Sequence, residues 1–221
     1  MELELKKECL DTYELGEPQT LTQEETAETI VPDYCPDIAR IISAEGVVCL
    51  HGGTEQDGVT GTVRVTVLYT PENESGVRAL EFAMPFSAQG EGLAGCAHVV
   101  VETEIELLES RMLNPRKIFT RCKLVTHLTG YRKVCLSLSS DVETLPEQRV
   151  EKRCCGQAAT LLRQIAEKDL TFSETMSLSL GREGAAELLH CRTSGTVTET
   201  KVIGNKLIFK GVFLVSVLYR T

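Results

Sequence analysis

The stretch "GTVRVTVLYT", from Gly61 to Thr70, alternates apolar and polar residues and decides the fold class of this chain. Its apolar positions recur at every second residue and are rich in β-branched side chains, which is the pattern of a β-strand. A close copy, "GVFLVSVLYRT", runs from Gly211 to Thr221. Both stretches begin with Gly and reach Val-Leu-Tyr, so the chain contains an internal repeat.

Two matches further upstream set the length of the repeating unit. "KKEC", ending at Cys9, resembles "EKRC", ending at Cys154, and "AETI", ending at Ile30, resembles "SETM", ending at Met176. The matches keep their order, and the shift between copies stays near 145 to 150 residues. We therefore predict a first unit over residues 1–147 and a partial second unit over 148–221, which reaches about half of the repeat.

The remaining patterns also favour strands. Residues 77–87 and 98–114 alternate, and "PENESG" before the former has the composition of a hairpin turn. In the latter, one face is predicted to carry Val99, Val101, Thr103, Ile105 and Leu107. Residues 116–140 indicate one long strand or two shorter ones, and residues 201–219 a hairpin that turns at Gly204-Asn205. We expect a mainly β fold of tandem β-sandwich-like units, the second one incomplete.

Short helices are predicted to accompany these strands. In "CPDIARIISAEG" (35–46), Asp33 caps the start, Pro36 suits the first turn and Gly46 ends the helix. Ile38, Ile41 and Ile42 would enter the core. Its counterpart is residues 183–191, whereas residues 157–170 leave a helix and an irregular segment both open.

Composition argues against several classes of partner. The formal net charge of −9 repels phosphate backbones, so nucleic acid is not expected as a partner. Aromatic residues make up only 5% of the chain and Trp is absent, which leaves little to stack on sugars or flat cofactors.

Targeting and cysteine patterns indicate a cytoplasmic protein. The first ten residues mix acids and bases and do not resemble a secretory signal. The longest apolar run, Val212 to Tyr219, is too short to span a membrane. The nine Cys form no CxxC motif, and without a signal peptide we expect reduced thiols, mostly serving as small buried hydrophobes.

Three candidate chemical sites are each weaker than a structural interpretation. Cys35 at a helix start, with His51 as base, would make a thiol enzyme, but no family signature surrounds it. His190-Cys191 is the only adjacent pair of a His with a Cys, and structural zinc normally needs ligands in paired clusters. The carboxylates at 102, 104 and 106 suit a solvated strand face better than a glycosidase. We expect no enzyme, no catalytic residue, no metal and no cofactor.

Several of these segments together resemble the SPOCS domain, the β-rich repeat of SipL-like proteins in spore-forming Firmicutes. The resemblance covers nearly the whole chain and is most specific at Pro32–Gly46, at the two Val-Leu-Tyr strand ends and at residues 113–118. It implies a non-enzymatic role as a protein-binding structural protein in sporulation and spore coat assembly. It also implies a place on the forespore surface, in the mother cell, among spore-envelope morphogenetic proteins.

The sequence departs from that family in two respects. It carries no LysM module, the part that the family ties to its ATPase partner, and its second unit is cut short. An all-β cell-wall or carbohydrate-binding module is the alternative function. A binding face, if one is chosen from the family-like segments, comprises Asp33, Tyr34, Asp37, Asn114, Arg116 and Lys117. Turn chemistry is the competing explanation for these residues.

The partial second unit carries its own prediction. Its last strand, Gly211 to Tyr219, lacks the partner that residues 77–87 supply in the first copy. We expect it to pair with the first unit or with another chain, which would make a homo-oligomer through the C-terminal strand.

Overall fold

The computed structural model describes residues 4–51, 58–143, 151, 153, 155–156, 158–168, 170–175 and 187–220. These residues form nine strands and no helix, so the predicted mainly β class is confirmed. None of them belongs to a helix long and apolar enough to cross a membrane. The strands are β1 (Glu4–Leu15), β2 (Gln19–Ile30), β3 (Ile38–His51), β4 (Gly58–Pro71), β5 (Arg78–Gln89), β6 (His98–Asn114), β7 (Lys117–Glu143), β8 (Glu187–Ile203) and β9 (Lys206–Arg220).

The 27-residue strand β7 organises the first sheet. Its first half pairs antiparallel with β6 on one side and with β2 on the other. Its second half pairs with β1, so that β1 and β2 lie end to end along one edge of β7. Of the two predicted possibilities, one long strand or two shorter ones, the structure shows one long strand.

The second sheet is the antiparallel meander β3-β4-β5, which packs on the first sheet. Their central strands, β4 and β7, supply most of the core, and β3 lies close to β6 as β2 lies close to β5. Full burial of each aliphatic side chain contributes about 1.5–3 kcal/mol. The fully buried residues of these two strands include Val63, Val65, Val67, Tyr69, Ile118, Cys122, Leu124 and Leu128. This two-layer arrangement confirms the β-sandwich-like architecture.

The predicted helix at residues 35–46 is wrong, because most of this segment is the start of β3. The pairing of β3 with β4 shifts once between Ile38 and Arg40 and again between Ile41 and Ser43. Each shift inserts one residue, so the inward-facing positions are 38, 41 and 44 rather than alternate residues. Two β-bulges therefore imitate the spacing of a helix, and Ile42 is 51% exposed instead of buried.

A bulge in β6 also makes the predicted inward face of this strand wrong at its last residue. Its pairing with β7 shifts between Ile105 and Leu107, which adds Glu106 to the strand. After that point Leu108, not Leu107, packs against the core. The prediction of a helix at 183–191 fails as well, since Glu187 onward is β8 and residues 183–186 lie outside the described residues. Within 157–170, the described residues form no regular element.

The predicted hairpin turns are confirmed. β4 and β5 are joined through Gly76 at φ 103°, and β8 and β9 through Gly204 at φ 59°. Both angles lie in the left-handed region that glycine adopts without steric cost.

The outer halves of β1 and β7 form a two-stranded ribbon beyond the sandwich, with mostly exposed side chains. A disulfide joins Cys9 to Cys135 across this ribbon, with a Cα–Cα distance of 5.7 Å. The expectation that all nine cysteines are reduced is therefore corrected at this pair. Cys35, Cys49, Cys96, Cys122, Cys155 and Cys191 are free.

The hairpin β8–β9 repeats the register of β3–β4. Ile41 pairs with Tyr69 in the first hairpin, as Leu188 pairs with Tyr219 in the second. In both hairpins the next residue is a bulge, between Ile41 and Ser43 and between Leu188 and His190. The internal similarity of the sequence thus extends to strand pairing, including an irregularity that alternation alone does not predict.

Candidate functional site

Two turns at one end of the sandwich are joined by backbone hydrogen bonds. The Val31 amide donates to the Arg116 carbonyl at 2.9 Å, and the Ile38 amide donates to the Pro115 carbonyl at 2.9 Å. The segment from β2 to β3 is therefore fastened at both its ends to the turn between β6 and β7. These two turns contain the residues that the sequence analysis selected as a binding face.

Arg116 makes the strongest link between the two turns. Its Nη1 donates to the Cys35 carbonyl at 2.8 Å and to Asp37 Oδ1 at 3.0 Å. Its Nη2 donates to the Val31 carbonyl and to Asp33 Oδ1, both at 2.9 Å. A guanidinium suits this role because it presents several donors in a rigid plane and keeps its charge.

The other predicted residues of this face also have partners within the chain. Asn114 Oδ1 accepts a hydrogen bond from the Arg116 amide at 2.9 Å, which is an Asx turn. Lys117 forms an ion pair with Glu28 on the neighbouring strand. The structure thus brings together Asp33, Asp37, Asn114 and Arg116, with Lys117 beside them, and their contacts here shape the turns.

Tyr34 is the exception among the six predicted residues. Its side chain is 88% exposed, although the turn that carries it is held by Arg116 on both sides. The Cys35 amide closes this turn by donating to the Pro32 carbonyl at 2.9 Å. An exposed aromatic ring on a fixed backbone loses little conformational entropy on binding, which is the property of an interface anchor.

A cavity of about 320 Å³ lies beside Tyr34. Its walls include Pro36 and Tyr69 from the sandwich and Leu189 from β8. The Tyr69 hydroxyl donates to the Pro36 carbonyl at 3.4 Å, and burial, with a smaller effect from Cys35, raises the pKa of this tyrosine to about 12. Tyr69 therefore stays neutral across the physiological range and serves as a wall of the cavity.

The contribution of β8 to this cavity is the part that sequence reasoning missed. Glu187 reaches Arg78 of β5 at 3.5 Å, and Leu189 is only 6% exposed. His190 Nε2 lies 3.0 Å from Glu45 Oε2 on β3. Leu189 occupies the bulge position that corresponds to Ile42, which is 51% exposed, so the repeat does not predict its burial.

A larger depression of about 780 Å³ lies elsewhere, on β2, β6 and β7. Its charged side chains are two Glu and two Arg, so their formal charges balance. Arg121 contacts Glu24 at 2.6 Å, and the Arg111 guanidinium lies 4.9 Å from the centre of the Phe119 ring. These walls neutralise each other and offer no convergent set of catalytic groups.

The candidate thiol site is not assembled. Cys35 precedes β3 and His51 ends it, and the 14 residues of that strand span about 45 Å. His51 Nε2 lies instead 2.6 Å from Thr62 Oγ1. Cys35 therefore has no imidazole base from this pair.

The carboxylate and metal candidates also have structural explanations. Glu102 and Glu104 are exposed, and Glu106 pairs with Lys123 at 2.9 Å. Within the described residues, the one group of three metal-ligating side chains is Cys9, Asp11 and Cys135, whose sulfurs are joined as a disulfide. A disulfide lacks the thiolates that metals require.

Comparison of the chain with protein-family models, with curated proteins and with solved structures found no match in any of the three.

Proposed function

We propose that this chain is a non-enzymatic scaffold that binds spore-envelope morphogenetic proteins during coat assembly, on the mother-cell side of the forespore surface. The observation that supports this function best is Tyr34, a nearly fully exposed aromatic side chain on a turn fixed by Arg116. Two of the segments that most resemble the SPOCS domain form this turn and the arginine contacts that hold it.

The proposed mechanism is recognition by a preorganised anchor. Large aromatic residues surrounded by a polar rim carry much of the energy of protein interfaces. Around Tyr34 the rim would consist of Asp33 and Asp37, whose carboxylates are fixed by the guanidinium of Arg116. The neighbouring cavity, with Pro36 and Leu189 in its walls, would accept an apolar side chain of the partner.

A pull-down from a sporulating culture tests this proposal. The tagged chain should recover coat or other spore-envelope proteins, as identified by mass spectrometry, and Tyr34→Ala should reduce that recovery at least tenfold. Ile30→Ala is the matched control, because Ile30 is 72% exposed at the end of β2, next to the same turn. It should leave the recovery unchanged.

Two outcomes would contradict the proposal. Recovery of no envelope protein by the folded wild-type chain would count against the scaffold role, and enrichment on a cell-wall glycan instead would favour the carbohydrate-binding alternative. Equal recovery by the Tyr34→Ala chain would show that the partner binds a different surface.

A further inference from the structure

Within the part of the chain that the structure describes, the outer edge of β9 has no strand partner. In the first unit the equivalent strand, β4, is central and pairs with both β3 and β5. Among the described residues, β9 pairs with β8 alone. The hairpin touches the first unit through Glu187, His190 and Arg220. The ring of Phe213 also packs against Phe172, but no strand among the described residues covers the outer edge of β9. Of the two partners predicted for this strand, the first unit and another chain, the described residues of the first unit do not supply one.

Most of β9 also lacks the features that keep other strand edges from pairing, since Lys210 is the one charged residue between Leu207 and Tyr219. Charged side chains and Pro protect edges, and β2, β5 and β6 carry several of them, for example Pro85. β9 has neither between Gly211 and Tyr219. Its side chains are exposed on both faces, with Val212 at 62%, Phe213 at 58% and Leu214 at 67%.

The outward face of β9 differs from that of its counterpart. Where β4 has Thr62 and Arg64, β9 has Val212 and Leu214. A strand that is apolar on both faces is typical of the interior of a sheet. β9 thus has the composition of a central strand in the position of an edge strand.

The sequence of β9 combines the two partners of the first unit. Its second half, "GVFLVSVLY", matches "GTVRVTVLY" of β4. Its first half, "LIFKGVF" (207–213), matches "LEFAMPF" (80–86) of β5 at the Leu and at both Phe positions. One strand therefore carries both a β4-like and a β5-like half.

The register of the first unit shows how these halves fit. There, Gly61 pairs with Phe86, Val65 with Phe82 and Val67 with Leu80. The same pairs transferred to β9 join Gly211 to Phe213, Val215 to Phe209 and Val217 to Leu207. All three pairs centre on Val212, so a single two-fold axis at this residue satisfies them between two copies of the chain.

The glycine in this pattern supports the match. A Cβ at Gly61 would lie 2.6 Å from Cε1 of Phe86, because the ring covers the glycine. Gly211 occupies the corresponding position in β9, and a Cβ there would meet only the backbone of β8. In the structure the ring of Phe213 lies over Gly195 of β8. In a dimer, Phe213 of the second copy would turn its ring from Gly195 to cover Gly211.

We infer that two copies of this chain associate by antiparallel pairing of their β9 strands about Val212, which forms a continuous sheet β8-β9-β9-β8. The partner is a second copy rather than an unrelated strand because each β9 holds both complementary halves. This inference stands independently of the spore-envelope role.

Sedimentation analysis of the purified chain tests the association. At tens of micromolar the wild-type chain should sediment as a dimer, and Phe209→Asp should shift it to the monomer mass. Val202→Asp is the matched control and should remain dimeric, because Val202 is 73% exposed on β8, away from the open edge. A monomeric wild-type chain would overturn the inference, as would equal loss of dimer in both variants.

Cysteine cross-linking tests the register independently of the charge variants. In a background with Cys154, Cys155 and Cys191 replaced by Ser, Val212→Cys should give a disulfide-linked dimer under mild oxidation. Directly opposed residues have Cα atoms about 4.5–5.5 Å apart, within disulfide reach. Leu214→Cys should not cross-link, since the two copies of that residue would lie about 14 Å apart. Equal cross-linking at both positions would exclude this register.

Discussion

At the scale of single residues, Arg116 fixes a turn that makes no regular backbone ladder. Four acceptors from the 31–37 segment converge on one guanidinium, and its side chain is one-third exposed. Each hydrogen bond to a charged group contributes about 1.5–3 kcal/mol when buried and less when solvated. Arg116 therefore determines the shape of the turn that presents Tyr34.

Replacement of this arginine should destabilise the protein. Arg116→Ala is expected to lower the free energy of unfolding by about 2–4 kcal/mol, measured by urea denaturation. Arg116→Lys should recover less than half of that loss, because an ammonium cannot make the same forked contacts.

Lys117→Ala provides the comparison for Arg116. It removes only an exposed ion pair to Glu28 and should cost less than about 1 kcal/mol. Equal effects of the Ala variants at 116 and 117 would show that the hydrogen bonds of Arg116 add little.

Cys122 should make stability depend on alkaline pH. Burial, with a smaller effect from Glu25, raises the pKa of this fully buried thiol from 9.0 to about 11. The unfolded chain therefore loses the proton at a lower pH than the folded chain. The contribution of this thiol to the free energy of unfolding is fully present below pH 9 and is lost as the pH rises to 11.

Denaturation curves of the wild-type chain and Cys122→Val between pH 8 and about 11 measure this effect. The wild-type chain should lose roughly 2–3 kcal/mol more than the variant over that range. Parallel declines would show that the thiol is not shielded from water in the folded state.

The candidate site shows what residue patterns can and cannot predict. Asp33, Tyr34, Asp37, Asn114, Arg116 and Lys117 were selected from two segments 80 residues apart, and the structure brings the segments together. Sequence alone does not reveal that Arg116 takes up both aspartates, because this depends on the path of two loops in space.

At the scale of the element, β3 shows why a local pattern was misinterpreted. The apolar spacing of Ile38, Ile41 and Ala44 suits one face of a helix. It equally suits a strand with two bulges, and only pairing with β4 separates the alternatives. A regular strand such as β4 can be predicted because its apolar residues alternate along its own sequence. In a bulged strand, the pairing with the neighbouring strand determines which residues face the core.

One strand, β7, should show two levels of local stability. Between Ile118 and Leu128 it has partners on both sides and buried side chains in the core. Beyond Tyr131 it pairs mainly with β1 in an exposed ribbon. Local opening is easier where fewer buried contacts must be broken.

Amide hydrogen exchange should therefore be slow in the first half of β7 and faster in its second half. Amides at 118–128 are expected to exchange at least about 100-fold more slowly than those at 132–142. Uniform protection along the whole strand would show that something covers the ribbon in solution.

At the scale of the whole molecule, the two similar hairpins β3–β4 and β8–β9 differ in how much of their surface is buried. The two hairpins share a register and a bulge, in agreement with the similarity of their sequences. Their environments differ, because the face of β4 is buried by β7 while the face of β9 is largely exposed. The sequence could predict the repeat, but not that Leu189 would anchor the second hairpin on the first unit.

A two-fold pairing of β9 would limit the assembly as well as form it. Each copy would use its open edge on the other, and such isologous contacts close at two subunits instead of growing into fibres. The unprotected strand would thereby be removed from aggregation.

The ladder of β1 along β7 also determines how this protein bears tension. Glu4 pairs with Glu143 at the outer end of the ribbon, so a pull on the chain at these two points breaks hydrogen bonds one after another, as in a zipper. Peeling of this kind needs little force, but it meets a covalent bond at Cys9–Cys135. The oxidised chain would therefore extend by only a few residues before the disulfide prevents further separation of β1 from β7, and the force would not unfold the sandwich.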